Sequence, residues 1–258
     1  MKLSLPCSAV FVLAVLGAVA AQSRPADSAR VPVIVELFTS EGCSDCPPAD
    51  AVLAKLPNAV PGVDVIALEE HVDYWDRQGW KDPFSSASFT QRQVDYTHAL
   101  RVDSPYTPQM IVNGREEFVG SSYGTATNTI AKAARDSARQ IRMSVAVDRA
   151  SGTVAPVHVT AQVPDGPMLK SADVYVAVTE TGLSSRVTAG ENRGKELHHS
   201  AVVRALTRIG VLDATRPWSG VGEITIDRQW NPRTTRIVAF VQDRGAGAIR
   251  GAATAALN

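Results

Sequence analysis

Cysteine is almost missing from this sequence, with 3 in 258 residues. Three thiols are too few for a small disulfide-scaffolded domain, and an odd number cannot all pair within one chain. An excess of either charge is missing too, since 26 basic side chains face 26 acidic ones. A neutral chain has no electrostatic footprint for sequence-independent nucleic-acid binding. Past the amino terminus no run is long and apolar enough to span a bilayer, which takes about 20 apolar residues. Internal repeats and low-complexity tracts are also lacking. What is present is a globular composition, 45% hydrophobic. At roughly 150 residues per domain, the length suits one large domain or two ordinary ones.

The amino terminus resolves the odd cysteine. Lys2 precedes an apolar stretch over residues 9–19, and Ala18-Val19-Ala20-Ala21 supplies small residues after it. A basic start, a short apolar core and an A-x-A site predict a secretory signal peptide over residues 1–20, cleaved near Ala20. The mature protein is then expected to be secreted or periplasmic, with residues 21–30 as a linker. Cleavage removes Cys7 and leaves Cys43 and Cys46 in a compartment where disulfides persist.

The rest of the chain has two textures. Over residues 31–140, strand-like and helix-like segments alternate. Residues 33–38 (VIVELF) form a β-branched, apolar run between Pro32 and Ser40, as a buried strand would. Residues 49–56 carry apolar side chains at helical spacing and stop at Pro57. A second strand is expected over 63–68, a helix over 85–100, and a hairpin of 110–112 with 117–119. The hairpin turns on Asn113-Gly114, a pair that tolerates positive φ twice. A helix over 126–141 closes the order β-α-β-α-β-β-α. Over residues 141–258 short β-rich runs follow one another: 143–147, 154–163, 173–179, 197–206, 222–226 and 236–242. Turn signals separate them. This spacing predicts a mostly antiparallel, sandwich-like second domain. Residues 252–257 suit either a strand or a short helix.

Chemistry concentrates in Gly42-Cys43-Ser44-Asp45-Cys46-Pro47-Pro48. A C-x-x-C between a buried strand and a helix places a thiol near unpaired N–H groups, which stabilise a thiolate. The small ring it closes opens and forms easily. Half of a zinc site and an inert disulfide are the competing readings, although no second cysteine pair completes a zinc site. Pro47 suits the first helical position if Cys46 is the N-cap, which moves Cys43 away from the helix dipole. Asp45 adds negative charge between the thiols. Both effects predict a moderately reducing couple rather than a strong oxidant.

The stretch Glu36-Leu37-Phe38-Thr39-Ser40-Glu41-Gly42-Cys43-Ser44-Asp45-Cys46-Pro47-Pro48-Ala49-Asp50 resembles the opening motif of a secreted bacterial thioredoxin-like family of unknown function. His71-Val72-Asp73-Tyr74-Trp75-Asp76, Gly79-Trp80-Lys81-Asp82-Pro83-Phe84 and Tyr106-Thr107-Pro108-Gln109 also match its pattern, so the likeness spans most of the mature chain. The resemblance implies a thioredoxin-like α/β domain over 31–140, followed by the β domain. It implies that Cys43 is the attacking thiol and Cys46 the resolving one, and that Thr107 and Pro108 position an extended substrate, with Pro108 cis. Two departures stand out: Gly42 occupies the place of thioredoxin's tryptophan, and residues 69–84 form a long insertion.

Neighbouring residues suggest how such a site is tuned. Glu36 is either a buried acid that takes the proton from Cys46 or an outward-pointing edge residue. His71, at the carboxyl end of the second strand, is a candidate base. It is also a candidate third ligand with Cys43 and Cys46 for Cu(I), or a structural histidine bonded to Asp73 or Asp76. Tyr74, Trp75 and Trp80 are expected as a lid or as packing within the insertion. His198 and His199 face opposite sides of a strand and are expected to be structural. The leading expectation is therefore an exported thiol–disulfide oxidoreductase without a cofactor, acting on a protein or small-thiol partner. The alternatives are a copper-binding protein and an interaction module with a static disulfide.

Overall fold

A computed structural model of the chain describes residues 30–136, 140–164, 171–213 and 215–257. The expected signal peptide lies outside the described residues. β1 (Val31–Thr39) and β2 (Val63–His71) run parallel in a nine-residue register from Val31↔Val63 to Thr39↔His71. β3 (Gln109–Val112) pairs antiparallel with β1, and β4 (Glu116–Val119) pairs antiparallel with β3. Two helices connect them, α1 (Pro47–Leu53) between β1 and β2 and α2 (Ala87–Leu100) between β2 and β3, and α3 (Tyr123–Arg135) follows β4. β1 is apolar on both sides apart from Glu36, because both sides are covered. Val33, Val35 and Leu37 pack with Ala49, Val52 and Leu53 of α1 and with Ala126 and Ile130 of α3. On the opposite face Ile34 meets Phe89, and Phe38 meets Tyr96, both from α2.

The Asn-Gly turn forms as its chemistry requires, with φ of 48° at Asn113 and 63° at Gly114. Asn113 also ties strands together, since its side-chain Oδ1 accepts the Ile34 N–H at 2.9 Å. α1 begins at Pro47 with Cys46 as N-cap, the arrangement that suits proline. β2 runs three residues past its apolar stretch, through Glu69, Glu70 and His71, each fully buried. Polarity signalled an end to the strand there, but tertiary partners satisfy these side chains.

In the second half, β5 (Arg142–Val147), β6 (Val154–Gln162) and β11 (Trp218–Thr225) form one three-stranded sheet. β7 (Ser171–Glu180), β12 (Thr235–Asp243) and β13 (Ile249–Ala256) belong to a larger one. The two sheets enclose a core of small and β-branched residues, including Val157, Val159, Val174, Val176, Ile224 and Ile237. The carboxy-terminal run is a strand, paired with β12. The run expected over 197–206 is broken at Ala201, where φ is 61°. It becomes β9 (Glu196–His199) and β10 (Val202–Asp213). β8 (Leu183–Arg186), which pairs with β9, carries no apolar alternation that would announce it.

The change of texture at residue 141 does not interrupt the sheet. One eight-stranded sheet runs in the order β13-β12-β7-β10-β2-β1-β3-β4, through both halves of the chain. The seam is short: Val202 of β10 lies beside Glu69 of β2, and the Glu69 N–H donates to the Ala201 carbonyl at 2.9 Å. A shared core reinforces it, in which Phe89 of α2 packs with Ile34, Ile66 and Leu68 from the first half and Val238, Phe240 and Ile249 from the second.

Candidate functional site

Cys43 and Cys46 are joined by a disulfide at the junction of β1 and α1, with Cα atoms 5.4 Å apart. Short backbone bonds shape the turn, from Cys43 N–H to the Ser40 carbonyl at 3.1 Å and from Cys46 N–H to the Cys43 carbonyl at 3.3 Å. Opposite the ring stands the Thr107–Pro108 segment, whose peptide bond is cis. Cys43 Sγ lies 3.9 Å from the Thr107 carbonyl oxygen. Gln93 of α2 holds this segment, donating to the Tyr106 carbonyl at 2.7 Å. Asp45 is exposed and Pro108 is buried.

The disulfide is covered, with Cys43 1% and Cys46 0% exposed. Two parts of the chain do this. From the insertion, Trp75 donates to Thr107 Oγ1 at 2.8 Å and lies against Gly42, where a Cβ would come within 3.0 Å of Trp75 Cβ. That approach explains why position 42 is glycine rather than a large residue. From the second half, the loop over residues 187–195 folds across the turn. Asn192, wholly buried, donates to the carbonyls of Glu41 and Cys43, both at 2.9 Å. Glu191 accepts the Ser44 N–H at 3.1 Å.

Beside the disulfide lies a cluster of buried acids and imidazoles. His71 bonds through Nδ1 to Asp82 Oδ2 at 2.7 Å. Its Nε2 lies 3.5 Å from Glu69 Oε1 and has no hydrogen-bond partner. His199 bonds Glu69 Oε1 through Nδ1 at 2.8 Å and Glu41 Oε1 through Nε2 at 3.1 Å. Asp82 also accepts the Glu41 N–H at 2.8 Å, and Glu41 Oε2 accepts the Trp80 indole N–H at 2.7 Å. Burial alone would lower both histidine pKa values, but the carboxylates outweigh it. Asp82 and Glu69 hold His71 well above its ordinary range, and Glu41 and Glu69 raise His199 to about 9. Burial opposes ionisation of Glu69 as well, yet the hydrogen bond with His199 and the nearby charge of His71 bring its pKa down. Asp50, bonded by Thr39 Oγ1 at 2.7 Å, is pushed up to about 7, chiefly by burial and then by Glu69.

A second buried network lies on the α2 face of β1. Arg92 Nε donates to Glu36 Oε1 at 2.7 Å, Tyr96 OH donates to Glu36 Oε2, and Gln242 Oε1 accepts from Arg92 at 3.1 Å. Glu70 has neither oxygen hydrogen-bonded and lies 3.5 Å from Arg92 Nε. Burial, with Glu36 adding to it and Arg92 only partly offsetting it, holds the Glu70 carboxyl well above the carboxylate range.

The residues expected from sequence therefore separate into two groups. Cys43, Cys46, Thr107 and Pro108 come together. Glu36 is buried but faces α2, on the side of β1 away from α1, where Arg92 and Tyr96 hold it. His71 pairs with Asp82 rather than with Asp73 or Asp76. The insertion turns back on itself, so that Asp73 bonds Thr90 and Asp76 bonds Ser85 instead. The ligand-type atoms that converge within 4.8 Å of one another are those of Glu69, His71 and His199, and neither cysteine is among them. His198 is exposed while its neighbour His199 is 3% exposed, as strand alternation requires. Sequence reasoning passed over Glu69, Asp82, Asn192 and the role of His199. The isolated Glu-Glu-His after an apolar run is a signal for Glu69 alone; Asp82, Asn192 and His199 have none.

The family described as "Protein of unknown function (DUF1223)" matches residues 34–242. A protein from Agrobacterium tumefaciens, solved by X-ray crystallography, is 27% identical, with 88% of this chain and 94% of that one covered and a TM-score of 0.63. HBP35 of Porphyromonas gingivalis is 16% identical, with 88% of this chain and 76% of that one covered and a TM-score of 0.67, a likeness of fold alone. No curated protein matches the chain. Among the described residues, no helix is long and apolar enough to cross a membrane.

Proposed function

The chain belongs to this DUF1223 family of proteins of unknown function, and from that premise we propose that it is an exported thiol–disulfide exchange protein working through Cys43 and Cys46. One observation carries the reading. The disulfide sits where a parallel strand meets a helix, with Cys43 Sγ facing the backbone carbonyl of Thr107. The β-α-β-α-β-β-α order of the first half supports a thioredoxin-like unit, with the strands of the second half as a sandwich-like partner. A ring of four residues restricts the unfolded chain by only about 2 kcal/mol on the chain-entropy scale. As a staple it contributes little, which favours a chemical use.

In the exchange a partner thiolate attacks Cys43 Sγ, the bond to Cys46 breaks, and Cys46 leaves as a thiolate that takes up a proton. A second partner thiol then displaces Cys43. The partner gains a disulfide and the two cysteines hold its two electrons; the reverse sequence reduces a partner disulfide. The burial of both cysteines requires the 187–195 loop or Trp75 to lift before a partner sulfur can reach Cys43. The N-terminal pattern and the disulfide both suit a location outside the cytosol.

Burial also favours a second reading, in which the disulfide is static and the protein is an interaction module. A Cys46→Ser variant separates the two. Exchange predicts a mixed disulfide trapped on Cys43 after incubation with disulfide-bearing extracts or glutathione disulfide, the partner's other sulfur leaving as a thiol. A static module predicts no adduct and a wild-type disulfide that resists ordinary thiol reductants.

A further inference from the structure

We propose that Glu69, His71 and His199 form a binding site for one divalent transition-metal ion of the zinc class, which joins the two halves of the chain. The donor set is two imidazole nitrogens and one carboxylate oxygen, which is suited to zinc. Glu69 Oε1 lies 2.8 Å from His199 Nδ1 and 3.5 Å from His71 Nε2, and all three ligand atoms lie within 4.8 Å of one another. A tetrahedral ion with bonds of about 2.0–2.1 Å needs ligand atoms about 3.3 Å apart. The two carboxylate–imidazole separations bracket that value, and the imidazole–imidazole separation, within 4.8 Å, has to shorten by at most about 1.5 Å to close the site.

The surroundings point the same way. Metal-binding histidines characteristically give their second ring nitrogen to a carboxylate, which fixes the ring and its free lone pair. Both rings here do so, His71 Nδ1 to Asp82 and His199 Nε2 to Glu41. The second oxygen of Glu69 is likewise occupied, accepting the Ser200 N–H at 2.8 Å. Every outward-facing atom of the three ligands is braced. The one atom left without a hydrogen bond is His71 Nε2, fully buried and directed at Glu69. An unpartnered buried nitrogen is costly unless something occupies the space before it. Three carboxylates, Glu41, Glu69 and Asp82, surround the two imidazoles, a setting in which a dication can take the place of the protons on the two rings.

Phe84 stands between the rings and a surface groove. Phe84 meets both imidazoles edge-on at 5.3 and 5.5 Å and is partly exposed. Its far side lines a groove with Arg204 and Trp230. Because Glu69 and His71 lie on β2 and His199 ends β9, the ion fixes the second half at the seam. It also anchors the base of the loop that carries Asn192 over the disulfide. The site is independent of the exchange reading, since no cysteine takes part.

The test is metal analysis of the full chain, loaded with Zn2+ and freed of excess by gel filtration. One equivalent retained per chain, and a melting temperature that falls on chelation, is the expected result. Co2+ in place of Zn2+ should give visible d–d absorption without a thiolate charge-transfer band. Asp82→Asn should weaken binding 10- to 100-fold. His71→Ala should abolish it, and the Cys43→Ser/Cys46→Ser double variant should retain it. Where His71→Ala does not fold, the wild-type and Asp82→Asn measurements still decide. Wild-type protein that retains no metal after loading and melts at the same temperature with chelator overturns the proposal. Loss of binding in the cysteine double variant does the same.

Discussion

The side-chain amide of Asn192 donates to the backbone carbonyl of Cys43 at 2.9 Å, across 149 residues of sequence. The second half of the chain is thereby locked onto the turn that carries the disulfide. Removing the amide leaves the carbonyls of Glu41 and Cys43 without this donor, at a cost of about 1–3 kcal/mol. Asn192→Ala should therefore loosen the cover. Reduction of the disulfide by dithiothreitol, followed by thiol labelling and mass spectrometry, should run roughly 10-fold faster or more than in wild type. An unchanged rate would mean that the loop does not control access.

The Glu36–Arg92 pair is a buried ion pair whose partners lie on β1 and α2. Arg92→Met should destabilise the protein by about 3–5 kcal/mol, because Glu36 loses its cation in a buried site. Urea unfolding measures this. The double variant Arg92→Met/Glu36→Gln should recover part of the loss. Equal stability of wild type and Arg92→Met would show that the Tyr96 hydroxyl suffices for Glu36.

Asp50 makes stability depend on pH in a direction opposite to that of most carboxylates. Burial, then Glu69, raises its pKa from 3.8 to about 7. The folded protein thus holds the proton more tightly than the unfolded chain does. The stabilisation is complete below the unfolded value and is lost as pH rises through the folded one. Asp50→Asn keeps an acceptor for Thr39 without titrating. Its stability relative to wild type should be flat below about pH 4 and rise toward pH 8. A constant difference between the two proteins across that range would rule out the raised carboxyl.

Local chemistry explains what the sequence made legible. Cys46 as N-cap with Pro47 following, the Asn113-Gly114 turn and the apolar run of β1 each depend on residues within a few positions of one another. The sheet that crosses residue 141 depends on Val202 lying beside Glu69, a pairing no local pattern encodes. The apolar pattern stops three residues short of the end of β2, because Glu69, Glu70 and His71 resemble a strand end until their buried partners are known. The site was legible in the same proportion. The C-x-x-C and the Thr107-Pro108 segment were found from their motifs. Asp82, His199 and Asn192 reach the site through tertiary folding, and a single histidine in a strand does not reveal which carboxylate will face it.

The most direct test of exchange chemistry is the reduction potential of the Cys43–Cys46 couple, measured on metal-free protein by equilibration in thiol buffers. Cys46 rather than Cys43 caps α1, and Asp45 adds negative charge, so the couple should be moderately reducing. Its potential should lie nearer the about −270 mV of thioredoxin than the about −120 mV of strong periplasmic oxidants. A disulfide that never equilibrates with the buffers, or a potential near −120 mV, would contradict the account.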